Sequence, residues 1–284
     1  MNIQPKIAES IELIRRAEKL ALALNPQDGF FVGFSGGKDS QVLLELVKMS
    51  GVKYKAYYSV TTNDPPENVY YIRNNYPEVQ FIHPKENFFK LVEKNGLPLR
   101  ITRFCCEQLK EQGGVGNVVL TGVRAEESKK RAKYNDVEIK SKRREHAENT
   151  QRTRREHAEN TLSRIEENEH KCIKGKDKIM VYPLLHWKTS QIWQFIRDFD
   201  LPINPCYNSV GRVGCMFCPY AKRKQIMQYA LKYPKFKKLL LKSLDKYITE
   251  KTEYKFNAEQ YYKIWLSNKS VEDYLLLENQ LTLF

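Results

Sequence analysis

Apolar residues recur at helical spacing from the start of the chain. Ile7, Ile11, Ile14, Ala17, Ala21 and Leu24 fall on one stripe with charged residues opposite, which predicts an amphipathic helix over residues 5–24. Asn25-Pro26-Gln27-Asp28-Gly29 ends it. Residues 29–34 then form a short unbroken apolar run, the pattern of a buried strand. Val42, Leu43, Leu44, Leu46 and Val47 return to helical spacing, with Gln41, Glu45 and Lys48 between them. Further strands are predicted at 53–60, 79–83, 117–123 and 178–184, and further helices at 87–95 and 188–200. Strands that alternate with helices imply an α/β, doubly wound fold around a mainly parallel five-stranded sheet. Beyond residue 220 the pattern is helical throughout, so the chain divides into a domain over 1–220 and a helical appendage over 221–284.

Composition narrows the setting. The chain has 284 residues, 41% of them hydrophobic, enough for one sizeable core with a smaller appendage. No apolar stretch reaches membrane-spanning length, and MNIQPKIAES has neither the basic start nor the apolar block of a signal peptide. The expectation is a soluble cytoplasmic protein with no membrane association. A formal charge of +14 favours a polyanionic partner, whether nucleotide, RNA or DNA. Part of that charge lies in a basic insert at 125–175. There RREHAENT at 143–150 repeats at 154–161, an offset of eleven residues or three helical turns. Each copy has only an Ala to bury, which predicts a solvated arm, with His146 and His157 facing solvent rather than a metal.

The densest chemistry follows the first strand, in Ser35-Gly36-Gly37-Lys38-Asp39-Ser40. Strand, glycine-rich turn and helix aim free backbone N–H groups and a helix N-terminus at an anion. Gly36 and Gly37 let the backbone approach phosphate closely. Ser35 and Ser40 add hydroxyls, Lys38 a cation, and Asp39 a candidate Mg²⁺ ligand. The stretch departs from the Walker A pattern twice, with Val32 where its first Gly belongs and Asp39 where Ser or Thr follows the Lys. A polar loop over residues 61–67, at the end of the second strand, is a second place for a ligand.

Six cysteines in a reducing compartment point to metal or redox chemistry rather than structural disulfides. Cys105 and Cys106 are adjacent, and Cys215 and Cys218 form a CxxC. A vicinal pair fits the paired knuckles of structural zinc poorly, whereas an iron–sulfur cluster offers each thiolate its own iron. Cluster, zinc and redox dithiol all remain open on the residues alone.

SGGKDS after a strand resembles the pyrophosphate loop of the adenine-nucleotide α-hydrolase superfamily, which includes adenylating ATP pyrophosphatases and sulfonucleotide reductases. A Cys-Cys pair with a later CxxC resembles, within it, the phosphoadenosine-phosphosulfate and adenylyl-sulfate reductase family. Pro202-Ile203-Asn204-Pro205-Cys206-Tyr207 with Arg212 to Cys218 is similar to that family's PxNPLY…GCxxC segment. Gly122 to Ser128 with Arg131 is similar to its GxRxxES…R loop. The resemblance covers residues from about 30 to 220. It implies nucleotide binding by Ser35, Gly36, Gly37, Lys38, Asp39, Ser40, Thr62, Asp64, Arg124 and Glu127, with Asp39 and Arg124 as catalytic residues. It also implies a 4Fe-4S cluster on Cys105, Cys106, Cys215 and Cys218.

Two departures bear on the reaction. Sulfonucleotide reductases carry a nucleophilic Cys near their C-terminus, whereas no Cys follows Cys218 here, and their pyrophosphate loop is usually eroded. Both features resemble the ATP-using branch that inserts sulfur into tRNA or DNA. The expectation is therefore an adenylyl-nucleotide α-hydrolase that uses ATP, Mg²⁺ and an iron–sulfur cluster for sulfur transfer, with a tRNA or DNA acceptor and a sulfur- or electron-donor protein as partners. A true sulfonucleotide reductase, drawing its thiol from Cys172, Cys206 or another protein, is one alternative. A non-catalytic nucleotide-binding subunit of a nucleic-acid modification complex is the other.

Overall fold

The computed structural model describes residues 2–140, 178–253 and 256–267. The repeat at 143–161, with His146 and His157, lies outside them, as does Cys172. No helix among the described residues is long and apolar enough to cross a membrane.

The chain folds into two compact units, each built from separated segments. The first comprises residues 1–59, 66–82 and 112–213. Its sheet contains β1 (Phe30–Gly33), β2 (Tyr54–Ser59), β3 (Gln80–Ile82), β4 (Val118–Leu120), β5 (Val137–Lys140) and β6 (Lys178–Val181). The order across the sheet is β3-β2-β1-β4-β6-β5. Five strands run parallel, as the alternating pattern predicts, and β5 joins β6 antiparallel at the edge, Val137 opposite Val181. The sheet therefore has six strands where the sequence predicts five. Val-Glu-Ile-Lys alternates as an edge strand does, but over so few residues that the pattern is lost among charged neighbours.

Helices α1 (Gln4–Leu24), α2 (Lys38–Ser50), α3 (Pro66–Asn75), α6 (Thr189–Asp198) and α7 (Cys206–Val210) belong to the same unit. Of the predicted stripe of α1, Ile7, Ile14, Ala17 and Ala21 are buried and Ile11 and Leu24 half-buried, while Leu20, outside the stripe, is buried too. Val42, Leu43, Leu44, Leu46 and Val47 of α2 are fully buried too, so its apolar face is wide enough for a helix covered on several sides. β1 pairs with β2 on one side and β4 on the other. The chain order thus reverses at β1, and the carboxyl ends of the strands at such a switch point are where open α/β sheets take their ligands.

The second unit comprises residues 60–65, 83–111 and 214–284. It holds α4 (Phe88–Asn95), α5 (Phe104–Leu109), α8 (Arg223–Lys232), α9 (Pro234–Lys251) and α10 (Ala258–Ser267). Leu91, Val92, Phe217, Leu240, Leu244 and Tyr262 form its core. The helical C-terminal region is present, and it packs with residues 83–111 in one body: Phe89 of α4 meets Phe236 of α9 at 6.2 Å between ring centroids.

Candidate functional site

Two constellations emerge, one in each unit. In the first unit, β1 ends at Gly33, residues 34–37 turn, and α2 begins at Lys38. The first intrahelical bond runs from the Gln41 N–H to the Gly37 carbonyl, so the N–H groups of Lys38, Asp39 and Ser40 have no acceptor inside the helix. The Tyr207 hydroxyl accepts from the Lys38 N–H at 2.9 Å. Ser40 Oγ donates to the Gly37 carbonyl at 2.8 Å and accepts from the Ser35 N–H at 3.2 Å, with Ser35 Oγ 3.1 Å away. Gly36 has φ +74°, and a Cβ there would stand 2.4 Å from Asn68 Oδ1. Only glycine makes this turn.

Two asparagines hold the loop from behind. Asn204, wholly buried, donates through Nδ2 to the Gly36 carbonyl at 2.9 Å and to Asn68 Oδ1 at 2.7 Å. Asn68 Nδ2 donates to the Ser35 carbonyl at 3.3 Å. Asn68, Asn204 and Tyr207 thus fix the loop, roles that their position in the sequence alone does not assign.

Asp39 sits between two cations. Lys38 Nζ is 2.6 Å from Oδ2, and Arg124 Nε is 2.7 Å from Oδ1. Arg124 is only 3% exposed, and its NH1 also donates to Glu126 Oε2 at 2.7 Å and to the Trp187 carbonyl at 3.3 Å. Burial opposes its charge, but Asp39 and Glu126 outweigh that, so its pKa is raised. Glu126 Oε2 accepts in turn from the hydroxyl and the N–H of Thr189, and these bonds, with Arg124, hold the carboxyl below the usual range. Glu127 accepts from the Arg124 N–H at 3.0 Å and pairs with Arg131. The structure thus brings together Ser35, Gly36, Gly37, Lys38, Asp39, Ser40, Arg124 and Glu127. Gly122 lets this happen: a Cβ there would lie 2.9 Å from the backbone of Asp39. Nearby at the end of β4, the Thr121 hydroxyl is buried without a partner among the described residues.

Thr62 and Asp64 belong to the second unit. Thr62, at φ +57°, donates its hydroxyl to the Thr61 carbonyl and accepts from the Phe88 N–H. Asp64 Oδ2 accepts from the Thr61 N–H at 2.7 Å. Thr62 thus ties its turn to the start of α4, and one Asp64 oxygen holds the turn itself.

That turn in turn holds the CxxC segment. Asn63 accepts from the Met216 N–H through its carbonyl, at 2.8 Å, and from the Phe217 N–H through Oδ1, at 3.2 Å. Thr61 Oγ1 lies 3.5 Å from Cys215 Sγ. Cys105 and Cys106 open α5, and all four cysteines are half-buried free thiols of this unit. The Cys105 thiol donates to Cys106; that bond and burial push its own pKa up, with Cys106, Cys215 and Cys218 adding to the rise. The same bond, then Lys110 and Arg103, draws Cys106 down to about 6. Burial pushes Cys215 up against the pull of Lys110. Among the described residues, no three His, Cys, Asp or Glu side chains close around one point as the ligands of a single ion would. Cys206 is a buried thiol of the first unit.

Residues 29–221 match a family model described as phosphoadenosine phosphosulfate reductase domain. Two uncharacterized proteins of Methanocaldococcus jannaschii are similar to the chain. One is 26% identical over 219 residues, covering 72% of this chain and 39% of that protein. The other is 22% identical over 253 residues, covering 82% and 54%. The chain thus spans about half or less of these curated relatives. Among solved structures, Candida glabrata FMN adenylyltransferase with FAD and inorganic pyrophosphate is 16% identical, with a TM-score of 0.45 over 75% of this chain and 62% of that one. Candida auris phosphoadenylyl-sulfate reductase is 17% identical, with a TM-score of 0.42 over 72% and 87%. The U34-tRNA thiolase NcsA of Methanococcus maripaludis, with its 4Fe-4S cluster, is 13% identical, with a TM-score of 0.37 over 95% and 82%.

Proposed function

The chain belongs to the phosphoadenosine phosphosulfate reductase domain family, and on that premise we propose that it binds ATP, or a related adenylyl nucleotide, at residues 35–40 and couples it to sulfur transfer assisted by an iron–sulfur cluster. The observation that carries this reading is the complete anion cradle at the start of α2, with the Asp39 carboxylate held between Lys38 and Arg124. Unsatisfied N–H groups at a helix N-terminus suit a pyrophosphate, which ATP offers at its β and γ positions and a sulfonucleotide does not. The N–H groups of Asp39 and Ser40 and the hydroxyls of Ser35 and Ser40 would hold that group. Lys38 would turn from Asp39 to a phosphate oxygen, freeing Oδ2 for Mg²⁺. Arg124 keeps Asp39 aimed from the other side, and Glu127 and Glu126 keep Arg124 in place. Charge developing at the α-phosphorus would then meet Lys38 in its turned position and the Arg124 guanidinium, which is held in place beforehand.

Cys105, Cys106, Cys215 and Cys218 would hold the cluster. What supports this is the donor set: four free, half-buried thiols in one unit, with Lys110 and Arg103 favouring thiolate at Cys106. They do not converge on one point. A cluster spreads its ligands over several irons but still gathers them around one small cube, so the two cysteine pairs would have to draw together to bind it. When bound, the cluster would bind sulfur or pass electrons.

Product analysis tests the reading. Anaerobically prepared protein given MgATP, sulfide and transfer RNA should form AMP and pyrophosphate, and Asp39→Ala should not. Thioredoxin-dependent sulfite release from phosphoadenosine phosphosulfate, with ATP left intact, would replace it by the reductase reading.

A further inference from the structure

The second unit contains a cavity of about 350 Å³ that the nucleotide loop does not use. Leu99, Ile101, Ile226 and Trp265 give it apolar walls, and Arg100 and Arg223 bring two guanidinium groups to it. Trp265 and Arg100 are held in place. Trp265 Nε1 donates to the Pro98 carbonyl at 2.8 Å, which fixes the indole. Arg100 Nε donates to the Pro219 carbonyl at 3.0 Å, and its terminal NH₂ groups have no acceptor among the described residues. Tyr220, 57% exposed, donates its hydroxyl to the Arg100 carbonyl at 2.9 Å, and the Arg103 guanidinium lies 5.2 Å from its ring centroid. Ile101 is 97% exposed and Leu99 54%. Large apolar side chains left in water beside a guanidinium with open donors among the described residues mark a surface that a ligand covers.

The ligand must be partly flat and apolar, and it must carry negative charge. A metal ion fails the first requirement, since the cavity has no carboxylate. A free inorganic anion fails it too. An unpaired base on a phosphate backbone meets both: its ring lies against aromatic, apolar and guanidinium surfaces, and its phosphates meet lysine and arginine. Arg223, which lines the cavity, opens α8, and α8 carries three basic side chains and no acidic one; on α9, Lys237 and Lys246 are paired with Glu259 and Glu93. A peptide partner would answer the charge only if acidic and would leave the exposed ring and guanidinium planes without a matching surface.

We propose that this cavity takes one unpaired base of a single-stranded nucleic acid, RNA or DNA, with the neighbouring phosphates on the basic residues of α8. The site goes beyond the nucleotide loop and needs neither ATP nor metal for occupancy, so it stands or falls separately from the sulfur-transfer reading. Its lining residues flank the cysteines in sequence, Arg100 and Ile101 before Cys105 and Pro219 directly after Cys218. A base held here is thus tied through short backbone segments to the thiols.

Fluorescence anisotropy with end-labelled twelve-nucleotide strands tests this, using the full chain without ATP at low salt. Single-stranded RNA and DNA of one sequence identify the source, and a duplex of the same length is the control. The expected result is single-strand binding at least tenfold tighter than duplex binding, weakened at least tenfold by Ile101→Glu. Ile101 is so exposed that the substitution leaves the fold intact. Lys19→Gln, on α1 in the first unit, makes the same change in net charge and should alter affinity less than twofold. Base contact should also quench tryptophan fluorescence, and Trp265→Phe should abolish the quenching. Equal affinity for single strands and duplex, unchanged by Ile101→Glu, would reduce the surface to non-specific charge and overturn the proposal. Absence of binding to either strand would overturn it too.

Discussion

At the scale of residues, the proposed nucleotide site depends on one buried arginine. Arg124 touches Asp39, Glu126 and the Trp187 carbonyl, and no other residue can span those partners. Arg124→Ala would leave Asp39 without its fixed partner, at a cost of about 2 kcal/mol in urea unfolding. The same variant should lose MgATP affinity at least tenfold. A second residue carries a pH dependence. His186 Nε2 lies 3.1 Å from Asp136 Oδ1, and that bond raises the imidazole pKa above its ordinary value. A group whose folded pKa is raised contributes stability that is fully present below its unfolded pKa, about 6.5, and is lost as pH rises through the folded value. The stability difference between wild type and Asp136→Asn should therefore be largest below about pH 6.5 and fade towards alkaline pH, and NMR titration of His186 should show its pKa fall in that variant.

At the scale of elements, the turn between β1 and α2 was legible because its signal is local: an apolar run, two glycines and a helical repeat within twenty residues. Its supports were not. Asn204 reaches Gly36 across 168 residues and Tyr207 reaches Lys38 across 169, and no spacing pattern encodes such bonds. Strand β5 escaped for the opposite reason, being too short to show a period. Helix α5 escaped too, since six residues with two cysteines have little helical signal of their own, and Leu109 is its one buried side chain. Gly36→Ala should test the turn as an element. With φ +74° and a Cβ 2.4 Å from Asn68 Oδ1, the variant must move either Asn68 or the loop, and MgATP affinity should fall at least tenfold while the protein stays folded by circular dichroism. Anaerobic preparations should contain about four irons per chain. Cys105→Ser on α5 and Cys218→Ser in the CxxC segment should each remove them, whereas stoichiometric zinc without iron would contradict the cluster.

At the scale of the whole molecule, the alternation of strands and helices predicts the mainly parallel sheet that is found. The composition of the two units could not be read from it. Residues 60–65, 83–111 and the C-terminal helices are far apart in sequence, and only packing and bonds such as those from Asn63 to the CxxC segment collect them. That collection is what places Cys105, Cys106, Cys215 and Cys218 in one unit, although it leaves the phosphate loop to the other. The proposed activity requires that loop to favour a nucleotide with a pyrophosphate. Calorimetric competition between MgATP and phosphoadenosine phosphosulfate tests this most directly, because it needs no acceptor and no sulfur donor. MgATP should bind at least tenfold more tightly than the sulfonucleotide, and Asp39→Ala should erase the difference. Tighter binding of phosphoadenosine phosphosulfate, unaffected by Asp39→Ala, would contradict it.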